Sequence, residues 1–97
     1  MRFSVDPAHP ALPGHFPGRP VVPGVLLLEY VLAAIETAHG PVDAWRLPQV
    51  KFARPLLPGE QARVELEQLP RAGDTARWRF RVLREDGDLL ASGEART

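Results

Sequence analysis

The sequence predicts an α+β fold, one long helix plus an antiparallel meander, and three observations carry that prediction. The first is the most apolar run in the chain, VVPGVLLLEYVLAAI from Val21 to Ile35, whose only ionisable side chains are Glu29 and the Tyr30 phenol. The second is a change of period after residue 45 to alternating apolar and polar positions, as half-buried strands require. The third is Asp86-Gly87 between the last two alternating runs, a strong hairpin signal. A helix apolar on every side is buried on every side. One flat sheet cannot do that, so the sheet curls around the helix or a second subunit caps it.

Taken in order, Arg2 to Val5 alternates and reads as a first strand ended by Asp6-Pro7. Pro7 to Pro23 is dense in proline and glycine, which specifies an ordered loop, because each proline presets its own φ and lowers the entropy lost on folding. The helix begins near Val22–Gly24, with Pro23 at or near its first turn, and ends near His39, where Gly40-Pro41 is a stop signal. Trp45 to Ala53 reads as a bent or edge strand because it contains Pro48. Gln61 to Leu69 sets Val64 and Leu66 on one face against Arg63, Glu65 and Glu67 on the other, and Pro70 to Asp74 is a turn. Thr75 to Arg84 points Trp78, Phe80 and Val82 inward and Arg77, Arg79 and Arg81 outward, and Leu89 to Ala95 closes the meander.

Ninety-seven residues suit one domain, 1–97, without internal repeats or linkers. Twelve basic residues balance twelve acidic ones, which argues against a generally basic nucleic-acid binder. With no cysteine there is neither a disulfide framework nor a thiolate nucleophile or ligand. The N-terminus lacks an apolar core of signal-peptide length, and Glu29 interrupts the longest apolar run well short of a membrane span, so a cytoplasmic protein is expected.

His15, on the loop, and Glu29, in the helix, are a candidate acid–base pair. A histidine near its ordinary pKa accepts a proton at neutral pH, while desolvation in an apolar wall keeps a carboxyl protonated and ready to donate. The plainer reading, which spacing alone favours, has His15 bonding its own loop and Glu29 reaching solvent or an interfacial arginine. Gly24 begins the helix, where unpaired amides and a positive dipole end can bind a carbonyl oxygen. Equally, it can serve only to relieve crowding where loop meets helix. His9 and His39 have no Cys, Asp or Glu at ligand spacing, and the His9–His15 spacing in a loop is weak evidence for a metal, so none is expected. The arginine row reads as a solvated face opposite Glu65 and Glu67. Lys51 and Arg54 form a basic rim able to receive an acidic partner, against a default of plain surface.

GHFPGRPVVPGVLLLE, Gly14 to Glu29, closely resembles the signature HFPxxPxxPGVLxxE of the β-hydroxyacyl-acyl carrier protein dehydratases of type II fatty acid synthesis. QVKFARPLLPGEQARVELE, Gln49 to Glu67, is similar to that family's second signature, VKFxxPVxPGDxL, so the likeness covers nearly the whole chain. The resemblance implies a hotdog fold and a homodimer with shared active sites, the loop histidine of one subunit facing the helix glutamate of the other at the end of an acyl tunnel. It implies that His15 and Glu29 are catalytic, that Gly24, Phe16 and Val25 bind substrate, and that Lys51 and Arg54 dock the acidic acyl carrier protein bearing a phosphopantetheine-linked 3-hydroxyacyl group. No cofactor is implied. The family's usual ExxxQ is here Glu29…Ala33, which removes a side chain that supports the carboxylate. The chain begins almost at the first strand and so resembles compact dehydratases of specialised pathways such as aryl polyene assembly. A hotdog acyl thioesterase, a non-catalytic acyl-binding module and a coenzyme A-linked enoyl hydratase are the competing readings.

Overall fold

A computed structural model describes residues 1–10, 12 and 21–97 of the chain. Its elements run β1 (Arg2–Phe3), α1 (Gly24–His39), β2 (Arg46–Phe52), β3 (Ala62–Ala72), β4 (Thr75–Arg84) and β5 (Leu89–Arg96). The strands form one antiparallel sheet in the order β1-β3-β4-β5-β2, with α1 laid across one face. This is the expected hotdog arrangement.

β4 occupies the predicted limits: its alternation buries Ala76, Trp78, Phe80 and Val82 against the helix and breaks only near the end, where Leu83 is buried next to Val82 at a register shift with β5. From α1, Leu26, Leu27, Val31, Ala34 and Ile35 enter the same core. Aromatic contacts pin the helix along its length. Tyr30 stacks on Phe3 with ring centroids 4.1 Å apart, and His39 and Trp45 each meet Trp78 edge-on at 4.9 and 5.5 Å. The Trp45 indole N–H donates to Glu36 Oε1 at 3.0 Å. The helix stops at Gly40, whose N–H returns to the Glu36 carbonyl.

Burial on all sides of α1 is not what the chain achieves. Val25, at 66% exposure, and Glu29 and Ala33 lie open along one stripe at i, i+4, i+8. Among the described residues the sheet covers one side of the helix and leaves Val25 and Ala33 open on the other. Glu29 is therefore exposed, with no apolar wall around it among the described residues.

Two boundaries also differ from expectation. β1 ends at Phe3 rather than Val5, although Val5 is buried and its carbonyl accepts from the Gly59 N–H. β3 continues through Pro70 to Ala72. β1 accompanies β3 only at Ala62 and Arg63, so beyond Val64 that edge is open and the missing proline N–H leaves no ladder bond unmade there. Leu66 lies on this open stretch and is 36% exposed instead of buried. β2 is the expected edge strand and pairs with β5 alone, with a register shift around Pro48.

Where β2 crosses β5 the backbones approach so closely that only glycine fits. A Cβ on Gly93 would lie 2.1 Å from the Gln49 carbonyl oxygen and 2.9 Å from the Phe80 ring. The outer face carries the charges. Arg81 pairs with Glu65 at 2.6 Å, Arg79 with Glu67 at 2.9 Å and Arg77 with Glu94 at 3.0 Å, while Arg96 also contacts Glu94. The arginine row is thus a ladder of cross-strand ion pairs, as the alternation implied.

Two measurements test this reading. Gly93→Ala has to push β2 off β5 or displace Phe80, a cost of about 1–3 kcal/mol or more, read as a lower denaturation midpoint; an unchanged midpoint would show that the crossing is loose. Hydrogen bonds from Arg81 first and then Arg63 hold the Glu65 carboxyl below its usual 4.5, and Arg77 and Arg96 do the same for Glu94. Since both folded-state values are depressed, their contribution is complete above about pH 4.5 and is lost as pH falls through the folded values. Denaturant midpoints should decline in that acid range, less steeply for Glu65→Gln than for the wild type. Identical acid profiles would remove the ladder from the stability of the fold.

Candidate functional site

The start of α1 opens onto an apolar groove of about 510 Å³ whose wall includes Val22, Gly24, Val25, Phe52, Arg54 and Leu56. Pro23 is the N-cap residue, with φ −56° and ψ 139°, and offers no side-chain acceptor to the first turn. The first amides of a helix have no carbonyl one turn back, so they direct N–H groups and the positive dipole end outward. Gly24 is the first of these residues, on the groove wall. Leu26 and then Leu27 donate back to the Pro23 carbonyl and begin the regular pattern.

The opposite wall is the segment after β2. Its Leu56 is fully buried, and the Leu56 carbonyl accepts from the Val22 N–H at 2.8 Å. Ala53 and Arg54 both donate to the Leu90 carbonyl, at 2.8 and 3.3 Å, so the segment is held on β5 as well as on the helix approach. The described part of the first signature, from Val21 onward, and the second signature, distant in the chain, therefore form facing walls of one groove.

Of the site residues expected from sequence, Gly24, Val25 and Arg54 are brought together here. Glu29 lies one turn further along the stripe that Val25 begins, exposed in this chain. His15 and Phe16 lie outside the described residues. Lys51 and Arg54 do not share the groove: alternation along β2 sets Phe52 on the groove side and Lys51 on the outer sheet face, opposite Ser92. Arg54 has a loose, exposed ion pair with Asp88 at 3.8 Å.

Phe52 is the residue that sequence reasoning left without a role, although it stands in the second signature. A Cβ at Gly24 would meet its ring at 2.7 Å, yet Phe52 is 55% exposed. Crowding is thus one reason for glycine at this position. It is a soft reason, because a half-exposed ring can rotate away. The close approach also lets a ligand in the groove reach the Gly24 backbone.

The chain matches the ApeI-like family, described as ApeI dehydratase, over residues 1–94. Curated relatives carry the name 3-hydroxyacyl-[acyl-carrier-protein] dehydratase FabZ. The protein of Granulibacter bethesdensis is 40% identical over 89 residues, covering 80% of this chain and 51% of the relative. That of Gluconacetobacter diazotrophicus is 34% identical over 99 residues, covering 91% and 60%. The chain spans about half the length of the Granulibacter relative and somewhat more of the other. Among solved structures, the dehydratase heterocomplex ApeI:P from Xenorhabdus doucetiae aligns with a TM-score of 0.71 at 25% identity, over 97% of this chain and 80% of that one. A mutant of the fluoroacetyl-CoA-specific thioesterase FlK aligns with a TM-score of 0.75 at 20% identity, over 100% of this chain and 84% of that one, a likeness of fold alone. Among the described residues no helix is long and apolar enough to cross a membrane.

The two reasons for glycine at position 24 separate by mutation. Gly24→Ala should lower stability by no more than about 1 kcal/mol, within the range of small overpacking costs, and adding Phe52→Ala should relieve part of that strain. Thermal unfolding of the single and double variants measures it. If Phe52→Ala gives no relief, the ring is not what demands glycine.

Proposed function

Because the chain belongs to the ApeI-like dehydratase family, we propose that it removes water from a 3-hydroxyacyl thioester carried on an acyl carrier protein, leaving a trans-2-enoyl thioester. The observation that carries this reading is the groove at the helix start, with Gly24 and Val25 on its wall and the Glu29 carboxyl one turn beyond on the same stripe. On this reading residues 1–97 act as one hotdog domain.

The thioester carbonyl would accept a hydrogen bond from the Gly24 amide, which stabilises negative charge developing on that oxygen as the α-proton departs. His15 would take the proton from C2. The C2–H electron pair then becomes the C2–C3 double bond and displaces the C3 oxygen, which leaves as water with a proton from Glu29. Val25, Phe52 and Leu56 would exclude water and receive the carbons next to the thioester, with Phe16 as the further substrate contact that the resemblance implies. Arg54, on the groove rim, would meet the acidic carrier protein; Lys51, on the outer face, is the less suitable of the two docking cations.

The open stripe Val25–Glu29–Ala33 supports a homodimer. A donor carboxyl must be desolvated to stay protonated near neutral pH, and the described part of one chain leaves Glu29 exposed. A second subunit laid on that stripe would cover Val25 and bring its own His15 to Glu29.

The test follows the enoyl thioester by absorbance, starting from a 3-hydroxyacyl carrier-protein substrate. His15→Ala and Glu29→Gln should each lower kcat by a hundredfold or more, in keeping with general acid–base contributions of about 10²–10⁴. Mixing the two inactive variants with subunit exchange should restore part of the activity. Unchanged rates in both variants would sink the acid–base assignment. Release of free thiol would move the reading to a thioesterase, and an equal rate on the coenzyme A thioester to a coenzyme A-linked hydratase.

A further inference from the structure

Arg84, at the end of β4, lies far from both signatures in sequence yet grips the wall of the groove. Its guanidinium is mostly buried and divides its contacts between two segments, the β2–β3 connection and the β4–β5 hairpin. One terminal nitrogen donates to the Pro55 carbonyl at 2.9 Å. The other donates to Asp88 Oδ2 at 3.4 Å in the β4–β5 hairpin, with Asp86 at a looser 3.8 Å. The buried Nε lies 3.5 Å from Glu60 Oε2, near enough to ion-pair but too poorly aligned for a hydrogen bond.

Each partner is itself tied into the wall. Glu60 Oε1 accepts from the Leu57 N–H at 2.9 Å, so one carboxylate holds the loop's own turn and Arg84 together. Pro55 directly precedes Leu56, whose carbonyl fixes the Val22 N–H two residues before the helix begins. Asp88 joins Arg84 to Arg54 on the groove rim. A planar fork with five donors suits this task, whereas a single ammonium cannot meet three acceptors set in different directions.

We propose that Arg84 is a positioning residue for the reaction: it sets the Arg54–Glu60 wall and, through Leu56 and Val22, the place of the Gly24 amide, without touching substrate. The proposal rests on the reading of the groove as the thioester site. Losing the fork would leave the groove present but its far wall unanchored, so the developing oxyanion would meet a misplaced donor, whereas ground-state binding would change little. The defect should fall on kcat rather than on KM.

The experiment compares wild type, Arg84→Gln, Arg84→Lys, Glu60→Gln and Asp86→Asn with the carrier-protein substrate, each checked for folding by circular dichroism. Arg84→Gln should lower kcat about tenfold or more with KM within twofold, Arg84→Lys should recover part of that loss, and Asp86→Asn should match wild type. A normal kcat in Arg84→Gln, or a loss confined to KM, overturns the proposal. If Arg84→Gln does not fold, Glu60→Gln decides: it keeps the acceptor for Leu57 but removes the charge facing Nε, so about a threefold fall in kcat upholds the proposal and no fall overturns it. If the wild type itself does not dehydrate the substrate, the functional reading fails separately. Hydrogen exchange at the Val22 amide then tests the grip of Arg84, faster exchange in Arg84→Gln or Glu60→Gln upholding it and unchanged exchange overturning it.

Discussion

A backbone hydrogen bond from the Val22 N–H to the Leu56 carbonyl joins the two halves of the groove, and the helix start depends on it. Both residues are buried, so the bond is made where water cannot replace it, and leaving either group unpaired would carry a full desolvation cost. It fixes the chain just before Pro23, whose φ is already set by its ring. Gly24 then enters the helix in one orientation, with the wall after β2 facing it. The Leu90 carbonyl, accepting from Ala53 and Arg54, anchors that wall to the sheet in the same manner. Main-chain bonds thus define the groove, and side chains line it.

This arrangement explains why some of the site was legible in the sequence and some was not. The two signatures announce themselves because proline presets its own φ and glycine marks places where the backbone is crowded or turns, and the limits of β4 follow from an alternation kept from Ala76 to Val82. Arg84 sends no such signal. Its partners Pro55 and Glu60 come from the β2–β3 connection and Asp88 from the β4–β5 hairpin, and nothing in a strand-end arginine says which carbonyl will lie beside it. Gly93 is equally silent. Its need is created by Gln49 on a neighbouring strand, so only the register between β2 and β5 reveals it.

Pro70 makes the same point from the opposite side. Proline in an alternating run reads as a break, yet β3 runs through it because β1 is too short to pair there. Whether a missing N–H matters is decided by the neighbouring strand, not by the residue. Lys51 and Arg54 were likewise one rim in sequence. The alternation of β2 and the turn that follows set them on different surfaces.

The helix poses the remaining problem in its plainest form. Its apolar residues specify cover on all sides, but composition does not say how many chains provide it, and the described residues of this chain cover one side. Glu29 belongs to the uncovered side together with Val25 and Ala33. An alanine four residues on cannot steady the carboxyl as a glutamine there would, and the Thr37 hydroxyl one turn further is already donating to the Ala33 carbonyl at 2.8 Å. Neither the desolvation nor the hydrogen bonding that a proton-donating Glu29 requires is supplied from its own stripe of the helix. On the proposed reading those properties belong to the assembly: the partner that covers Val25 has also to set the protonation of Glu29, which couples dimerisation to chemistry through one exposed face of α1.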